Sequence, residues 1–230
     1  MFLISDNLNL INQNIKFACE RSGRDVSEIT LIGVTKTIEV SRMKELLDLS
    51  IYNFGENKVQ ELLNKYDYFD ERVKWHLIGH LQTNKVKNII DKVDLIHSVD
   101  SFKLALEINN RAMSKNLVKD ILIQVNVAEE QSKFGVVRED LISLIEKIST
   151  LTNIRVTGLM TVAPFVENPE DNRIHFRNLK ILFDESNKLN YENVCMKNLS
   201  MGMTNDYAIA IEEGSTMIRI GTGIFGCRNY

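Results

Sequence analysis

Lys36 stands in the run Leu31-Ile32-Gly33-Val34-Thr35-Lys36-Thr37, where an apolar strand gives way to a polar segment. An amine in such a place can condense with an aldehyde, because burial removes the solvation that keeps an ammonium charged and lowers its pKa. The same lysine can instead lay its stem along a strand rim and keep its charge in water. The chemistry therefore has to be judged against the other groups the chain brings to that end. Two loops supply candidates. Ser200-Met201-Gly202-Met203-Thr204-Asn205-Asp206 offers hydroxyls, a glycine that lets backbone approach an anion, and residues able to cap a helix carrying Tyr207, Ala208 and Ile211. Gly221-Thr222-Gly223-Ile224-Phe225-Gly226 is again rich in glycine and hydroxyl, and the two loops together read as a phosphate cup. Arg219 lies in Met217-Ile218-Arg219-Ile220. A guanidinium inside an apolar strand needs a partner, either a buried carboxylate or an anion or ring nitrogen of a ligand.

Two other patterns need weighing. The second loop spells G-x-G-x-x-G, but a dinucleotide fingerprint requires a following helix and a further strand with an acidic residue, and the sequence given stops at Tyr230. His76 and His80 are four apart, a zinc-pairing distance on a helix. Here they fall on a strand interrupted by Gly79, and the glutamate of H-E-x-x-H is absent, so metal is not expected. Trp75 and His76 should alternate between barrel interior and helix layer. His80 and Asn57 sit just beyond strand ends, where they either line a pocket or satisfy loop backbone.

The elements that must position these groups follow from the apolar periodicity. Residues 5–22 read as a helix, capped by Ser5 or Asp6, with Leu8, Ile11, Ile15 and Ala18 on one face and Gly23 as its stop. Short apolar runs suited to buried parallel strands follow at 29–34, 51–54, 73–78, 95–99, 121–127, 154–160, 197–201 and 217–220. Amphipathic segments lie between them, for example Leu141, Leu144, Ile145 and Ile148, or Val86, Ile89, Ile90 and Val93. This alternation predicts an α/β fold, a single (β/α)8 TIM barrel over residues 1–230 with an additional N-terminal helix; a doubly wound open sheet is the competing architecture. Such barrels bind substrates at the C-terminal ends of their strands, with phosphate commonly held after strands seven and eight. Lys36 and both loops fall there.

Composition narrows the partners. In 230 residues, 44% hydrophobic, 28 basic side chains against 31 acidic ones leave a net charge of −3, which gives no basic field for nucleic acid or anionic membrane. Cys19, Cys195 and Cys227 are odd in number and widely spaced, as in reduced cytoplasmic proteins. The first residues show neither a basic region nor an apolar run long enough for a signal or span. Asn198-Leu199-Ser200 matches the glycosylation sequon, without consequence in a cytoplasmic protein.

Taken in order, Leu31–Lys36, Asn53–Asn57, Trp75–Gln82, His97–Asp100, Gly158–Met160, Leu199–Met203 and Arg219–Gly226 resemble the pyridoxal phosphate homeostasis protein family over essentially the whole chain. The resemblance implies a fold-type III barrel like the N-terminal domain of alanine racemase, holding pyridoxal 5′-phosphate as an internal aldimine on Lys36. It implies that Ser200, Gly202, Gly221 and Thr222 form the phosphate cup, that Arg219 faces the pyridine nitrogen, and that Met201, Asn57 and His80 complete the cofactor-binding set. Departures are small: Thr35 where serine is usual, Ile38 where proline is common, and Thr204 where serine often stands. A permanently cationic arginine at the ring nitrogen discourages its protonation and weakens the cofactor as an electron sink. The implied function is buffering and carriage of the cofactor, with apo-enzymes that use it as partners, and no catalytic role. The alternative is a small amino-acid racemase, which in this barrel type uses a second base from an extra domain not present in this sequence. Lack of that domain and of an apolar stripe points to a monomer.

Overall fold

A computed structural model describes residues 3–130 and 133–226. Eight strands, β1 Thr30–Val34, β2 Asn53–Glu56, β3 Lys74–Leu77, β4 Leu95–Val99, β5 Lys119–Gln124, β6 Ile154–Met160, β7 Val194–Ser200 and β8 Met217–Ile220, pair in chain order, all parallel, and β8 closes on β1. The register of that closure sets Ile32 opposite Arg219 and Gly33 opposite Ile220. The open-sheet alternative is thereby excluded.

The strands form because short runs of branched apolar residues can be buried on both faces. One set, Ile32, Leu95, Leu122, Met160 and Met217, fills the inside of the barrel. Residues of opposite parity, such as Phe54, Trp75, Leu77, Ile121, Leu199 and Ile218, join the larger core between strands and helices. Each fully buried Leu or Ile there contributes about 1.5–3 kcal/mol. Trp75 packs outward on Phe54, Phe69 and Tyr66, while His76 turns inward.

The crossovers are α2 Val40–Asp48, α3 Val59–Tyr66, α4 Phe102–Ser114, α5 Leu141–Ile148, α6 Arg173–Ser186 and the short α7 Tyr207–Glu212. Leu141, Leu144, Ile145 and Ile148 are all buried, as their spacing predicts. The segment between β3 and β4 differs from expectation. Val86, Ile89, Ile90 and Val93 are buried, yet the chain there forms a 3₁₀ helix, Thr83–Asn88, and turns. Four apolar positions in eight residues fit a tight turn as well as an α-helix.

The N-terminal helix, α1 Ile4–Ser22, buries Ile4, Leu8, Ile11, Ile15, Ala18 and Cys19. Leu3, not Ser5 or Asp6, occupies its N-cap, and Asp6 lies in the first turn. Gly23 ends it at φ 68°, a conformation glycine adopts without a Cβ penalty. Asn7 and Asn14 tie α1 to Ile224 and Tyr207, so it completes the helix layer beside β8. No helix among the described residues is long and apolar enough to cross a membrane. Cys19 and Cys195 are free thiols; Cys227 lies outside the described residues.

Candidate active site

At the C-terminal mouth of the barrel lies a cavity of about 510 Å³, within the ~300–1,000 Å³ usual for small-molecule sites. Val34 and Lys36 beyond β1, Arg219, Gly221 and Thr222 around the end of β8, Met203–Asp206 after β7 and the segment 162–166 after β6 form its walls. Because β1 and β8 are neighbours, Lys36 and Arg219 share one side of it. A second cavity of about 640 Å³ opens at the opposite end, among Lys74, Asp94, Lys119, Asp120 and Arg155. Its charges are largely neutralised by one another, as in Lys74–Asp94 and Arg155–Asp120.

The residues flanking Lys36 are fixed from behind. Thr35 is buried; its hydroxyl donates to Glu56 Oε1 over 2.7 Å. Lys65 Nζ donates to the Thr35 carbonyl, to Glu56 Oε1 and to Glu61 Oε1. Thr37, on the other side, has φ 63°, a left-handed conformation that costs a β-branched residue about 1–3 kcal/mol. Its N–H donates to Glu61 Oε1, which holds the turn. Two glutamates on β2 and α3 and one lysine on α3 thus aim the turn that carries Lys36.

Arg219 is 4% exposed. Its Nη1 donates to Ser200 Oγ over 2.6 Å and its Nη2 to the Thr161 carbonyl over 2.7 Å. Neither partner is a carboxylate. The acid whose charge acts on it, Asp206, spends its oxygens on the Met203 N–H at 2.7 Å and Asn172 Nδ2 at 2.8 Å. Burial draws the guanidinium down to about 10 against the opposing pull of Asp206, so it stays cationic at neutral pH. A buried cation with neutral partners, lining a cavity, is suited to an anionic or electron-rich ligand. Asp206 was expected to cap α7; it is the N-cap residue, but its side chain folds back to Met203 and makes no cap bond.

Thr222 Oγ1 lies 3.1 Å from Thr204 Oγ1, which also accepts from the Gly223 N–H at 3.2 Å. The Gly221–Gly226 loop is wound into a short helix, α8 Thr222–Phe225. These hydroxyls and Gly221 face the cavity. The β7 end is placed differently. Ser200 is fully buried beneath the cavity, between Arg219 and His97 Nδ1, the latter at 3.0 Å. Met201 is buried in the core between strands and helices. A Cβ on Gly202, at φ 90°, would lie 2.6 Å from Ala210 Cβ and 2.9 Å from Tyr207 Cα, so that glycine is required by the packing of α7.

Asn57 and His80 do not line the cavity. The residue before His80 packs on Asn57, since a Cβ on Gly79 would fall 2.3 Å from the Asn57 carbonyl oxygen. His80 stacks on Phe134 with ring centres 4.0 Å apart and lies 3.8 Å from Asp100. No group of three or more His, Cys, Asp or Glu side chains able to hold a metal occurs among the described residues. Sequence reasoning used His97 only within the motif His97–Asp100, with no role of its own, and did not single out Thr161. An inward place for His97 was legible in principle, since it shares parity with the inward-facing Leu95.

An amine, a buried cation and paired hydroxyls around one cavity fit a phosphorylated aldehyde such as pyridoxal 5′-phosphate. Residues 7–229 match the family described as alanine racemase, N-terminal domain. The chain is 47% identical over 226 residues to the pyridoxal phosphate homeostasis protein of Aquifex aeolicus, covering 98% of each. It is 36% identical over 230 residues to the protein of that name from Haemophilus influenzae, covering 99% of this chain and 97% of the relative. Among solved structures, PipY of Synechococcus elongatus PCC7942 with PLP bound superposes with a TM-score of 0.81 at 29% identity, over 94% of this chain and all of PipY. Alanine racemase of Clostridium difficile 630 shares the fold at 17% identity and TM-score 0.73, with 99% of this chain covering 57% of the racemase. On these grounds, the chain belongs to the pyridoxal phosphate homeostasis protein family.

Proposed function

We propose that this chain binds pyridoxal 5′-phosphate in the cavity between Lys36, Arg219 and the Thr204–Thr222 pair, and serves to buffer the cofactor and pass it to apo-enzymes. The observation that carries this reading is the placement of Lys36 and the carboxylate-free Arg219 on one side of a cavity of about 510 Å³. The cofactor, when bound, supplies an aldehyde. Lys36 would hold the group by condensation of its amine with that aldehyde, as an internal aldimine with water released. Thr204 and Thr222 would offer hydroxyls and Gly221 an open backbone to the phosphate, and Arg219 would face the ring.

A reversible bond to one lysine keeps a reactive aldehyde from other amines, and release to a competing apo-enzyme needs only the return of water. The reading has the chain acting as a monomer in the cytoplasm, where free thiols such as Cys19 and Cys195 are ordinary.

The test is borohydride reduction of the protein loaded with pyridoxal 5′-phosphate, followed by peptide mapping. The pyridoxyl adduct is expected on Lys36. An adduct mainly on another lysine, or none, overturns the reading.

A further inference from the structure

Across the inside of the barrel, from β8 to β2, runs an unbranched series of side-chain contacts. Arg219 Nη1 meets Ser200 Oγ at 2.6 Å, Ser200 Oγ meets His97 Nδ1 at 3.0 Å, His97 Nε2 meets His76 Nδ1 at 3.0 Å, and His76 Nε2 meets Asn53 Oδ1 at 3.0 Å. The four residues from Arg219 to His76 are all buried. The ends of the series differ in kind. A guanidinium only donates, and an amide oxygen only accepts.

That asymmetry places every proton between them. Ser200 accepts from Arg219 and donates to His97 Nδ1. His97 then carries its proton on Nε2 and donates to His76 Nδ1; His76 carries its own on Nε2 and donates to Asn53. The opposite direction would set a ring lone pair against the Asn53 oxygen and leave the Ser200 proton without an acceptor in a fully buried place, a cost of the order of a lost hydrogen bond or more. Burial favours the neutral form of both rings, and the neighbouring Arg219 charge acts the same way on His97.

We infer that this series is a one-way hydrogen-bond wire whose function is to present a Ser200 lone pair to Arg219, and that His97 is the positioning residue which, through Ser200, holds the guanidinium toward the cavity. The orientation of the wire stands on geometry alone. Its bearing on the ligand rests on the reading in which pyridoxal 5′-phosphate occupies that cavity. It also commits the Ser200 proton inward, so the hydroxyls left for the phosphate are those of Thr204 and Thr222.

Long-range proton–nitrogen correlation spectra of the full chain, recorded without cofactor, read the wire directly. His76 and His97 are both expected as neutral rings protonated on Nε2, unchanged from about pH 5 to 8. A proton on Nδ1 of either ring, or titration of either within that window, overturns the wire. Two variants then read its purpose. His97→Gln keeps one acceptor and one donor, whereas His97→Leu keeps bulk and removes both. The leucine variant is expected to bind pyridoxal 5′-phosphate about tenfold or more weakly while still forming its adduct on Lys36, and the glutamine variant to recover to within about threefold of the unaltered chain. Equal loss in both variants, or loss in neither, overturns the positioning role. If the leucine variant does not fold, the spectra and the glutamine variant still decide: a glutamine variant about tenfold weaker is then the overturning result. Failure of the unaltered chain to bind the cofactor would refute the proposed function and leave the proton placement standing.

Discussion

Lys65 Nζ lies 2.7 Å from the carbonyl oxygen of Thr35, the residue that carries the chain from β1 to Lys36. The same ammonium is 2.8 Å from Glu56 Oε1 and 2.7 Å from Glu61 Oε1, so a buried cation offsets two carboxylates while holding the backbone of the site. Burial pushes the Glu56 carboxyl up despite Lys65 and Thr35, and its second oxygen has no hydrogen-bond partner among the described residues. Removing the cation leaves that carboxylate uncompensated. Lys65→Met is therefore expected to lower stability by about 3–5 kcal/mol, and adding Glu56→Gln to recover at least half of the loss. Equilibrium urea unfolding of the single and double variants measures this; a Lys65→Met cost below about 1 kcal/mol would rule the network out as a structural support.

The phosphate side can be separated from folding at Gly221. A Cβ there would meet Val34 Cβ at 3.4 Å, an ordinary contact, and φ is −114°, so the protein itself tolerates alanine. Gly221→Ala should leave the free energy of urea unfolding unchanged to within about 0.5 kcal/mol. Any loss of cofactor retention then reports the space the ligand needs. Thr222→Val removes one hydroxyl and should weaken pyridoxal 5′-phosphate by about 10–100-fold, the range for a hydrogen bond to a charged group, while sparing unphosphorylated pyridoxal. Equal weakening of both ligands would remove the phosphate role.

The barrel was legible because its strands are apolar runs bounded by polar turns: 95–99, 154–160 and 217–220 are met residue for residue by β4, β6 and β8. The end of β5 was overextended to 127 because Val125 and Val127 are apolar, yet Asn126 turns back to bond the Val136 carbonyl. Lys36, Arg219, Gly221 and Thr222 could be gathered from sequence, since strand ends of a closed barrel must meet at one mouth. What sequence could not supply was depth. Ser200 and Thr222 look equivalent as hydroxyls beside glycines, but one side chain points into the barrel and the other lies exposed at the rim. Nor could sequence show that the packing of Ala210 and Tyr207 by itself requires a glycine at 202.

The interior histidines give stability a pH dependence of definite sign. Burial lowers His76 to about 4 and His97 well below its ordinary value. A folded pKa below the unfolded one means that the unfolded chain binds more protons as pH falls. The stabilisation is complete above about pH 6.5 and is lost progressively from there toward about pH 4. His76 alone accounts for up to about 3 kcal/mol over that range. Urea midpoints measured between pH 7 and about 4.5 should fall, and His76→Gln should flatten the slope. A profile flat in the unaltered chain would show that neither ring is held neutral.

Carrier and racemase make opposite demands on the same cavity. Forming and releasing the bond at Lys36 requires one amine and access for water. Racemisation requires in addition a second acid or base on the far face of a bound amino acid, aligned with its Cα hydrogen. Asp206, which lines the cavity, has its oxygens engaged by Met203 and Asn172, and Tyr207 is buried with its hydroxyl on Asn14. In the proposed binding mode Arg219, cationic at neutral pH, would face the ring, discourage protonation of its nitrogen and so limit the delocalisation a carbanion could use. Solvent deuterium should therefore enter Cα of L-alanine only at a negligible rate in saturating substrate, while cofactor passes readily to an apo-enzyme in a parallel assay. Exchange at ordinary enzymatic turnover, about 1 to 1,000 per second, would overturn the carrier reading. Slow exchange together with failed transfer would count against it as well, because buffering without release leaves the proposed function half unmet.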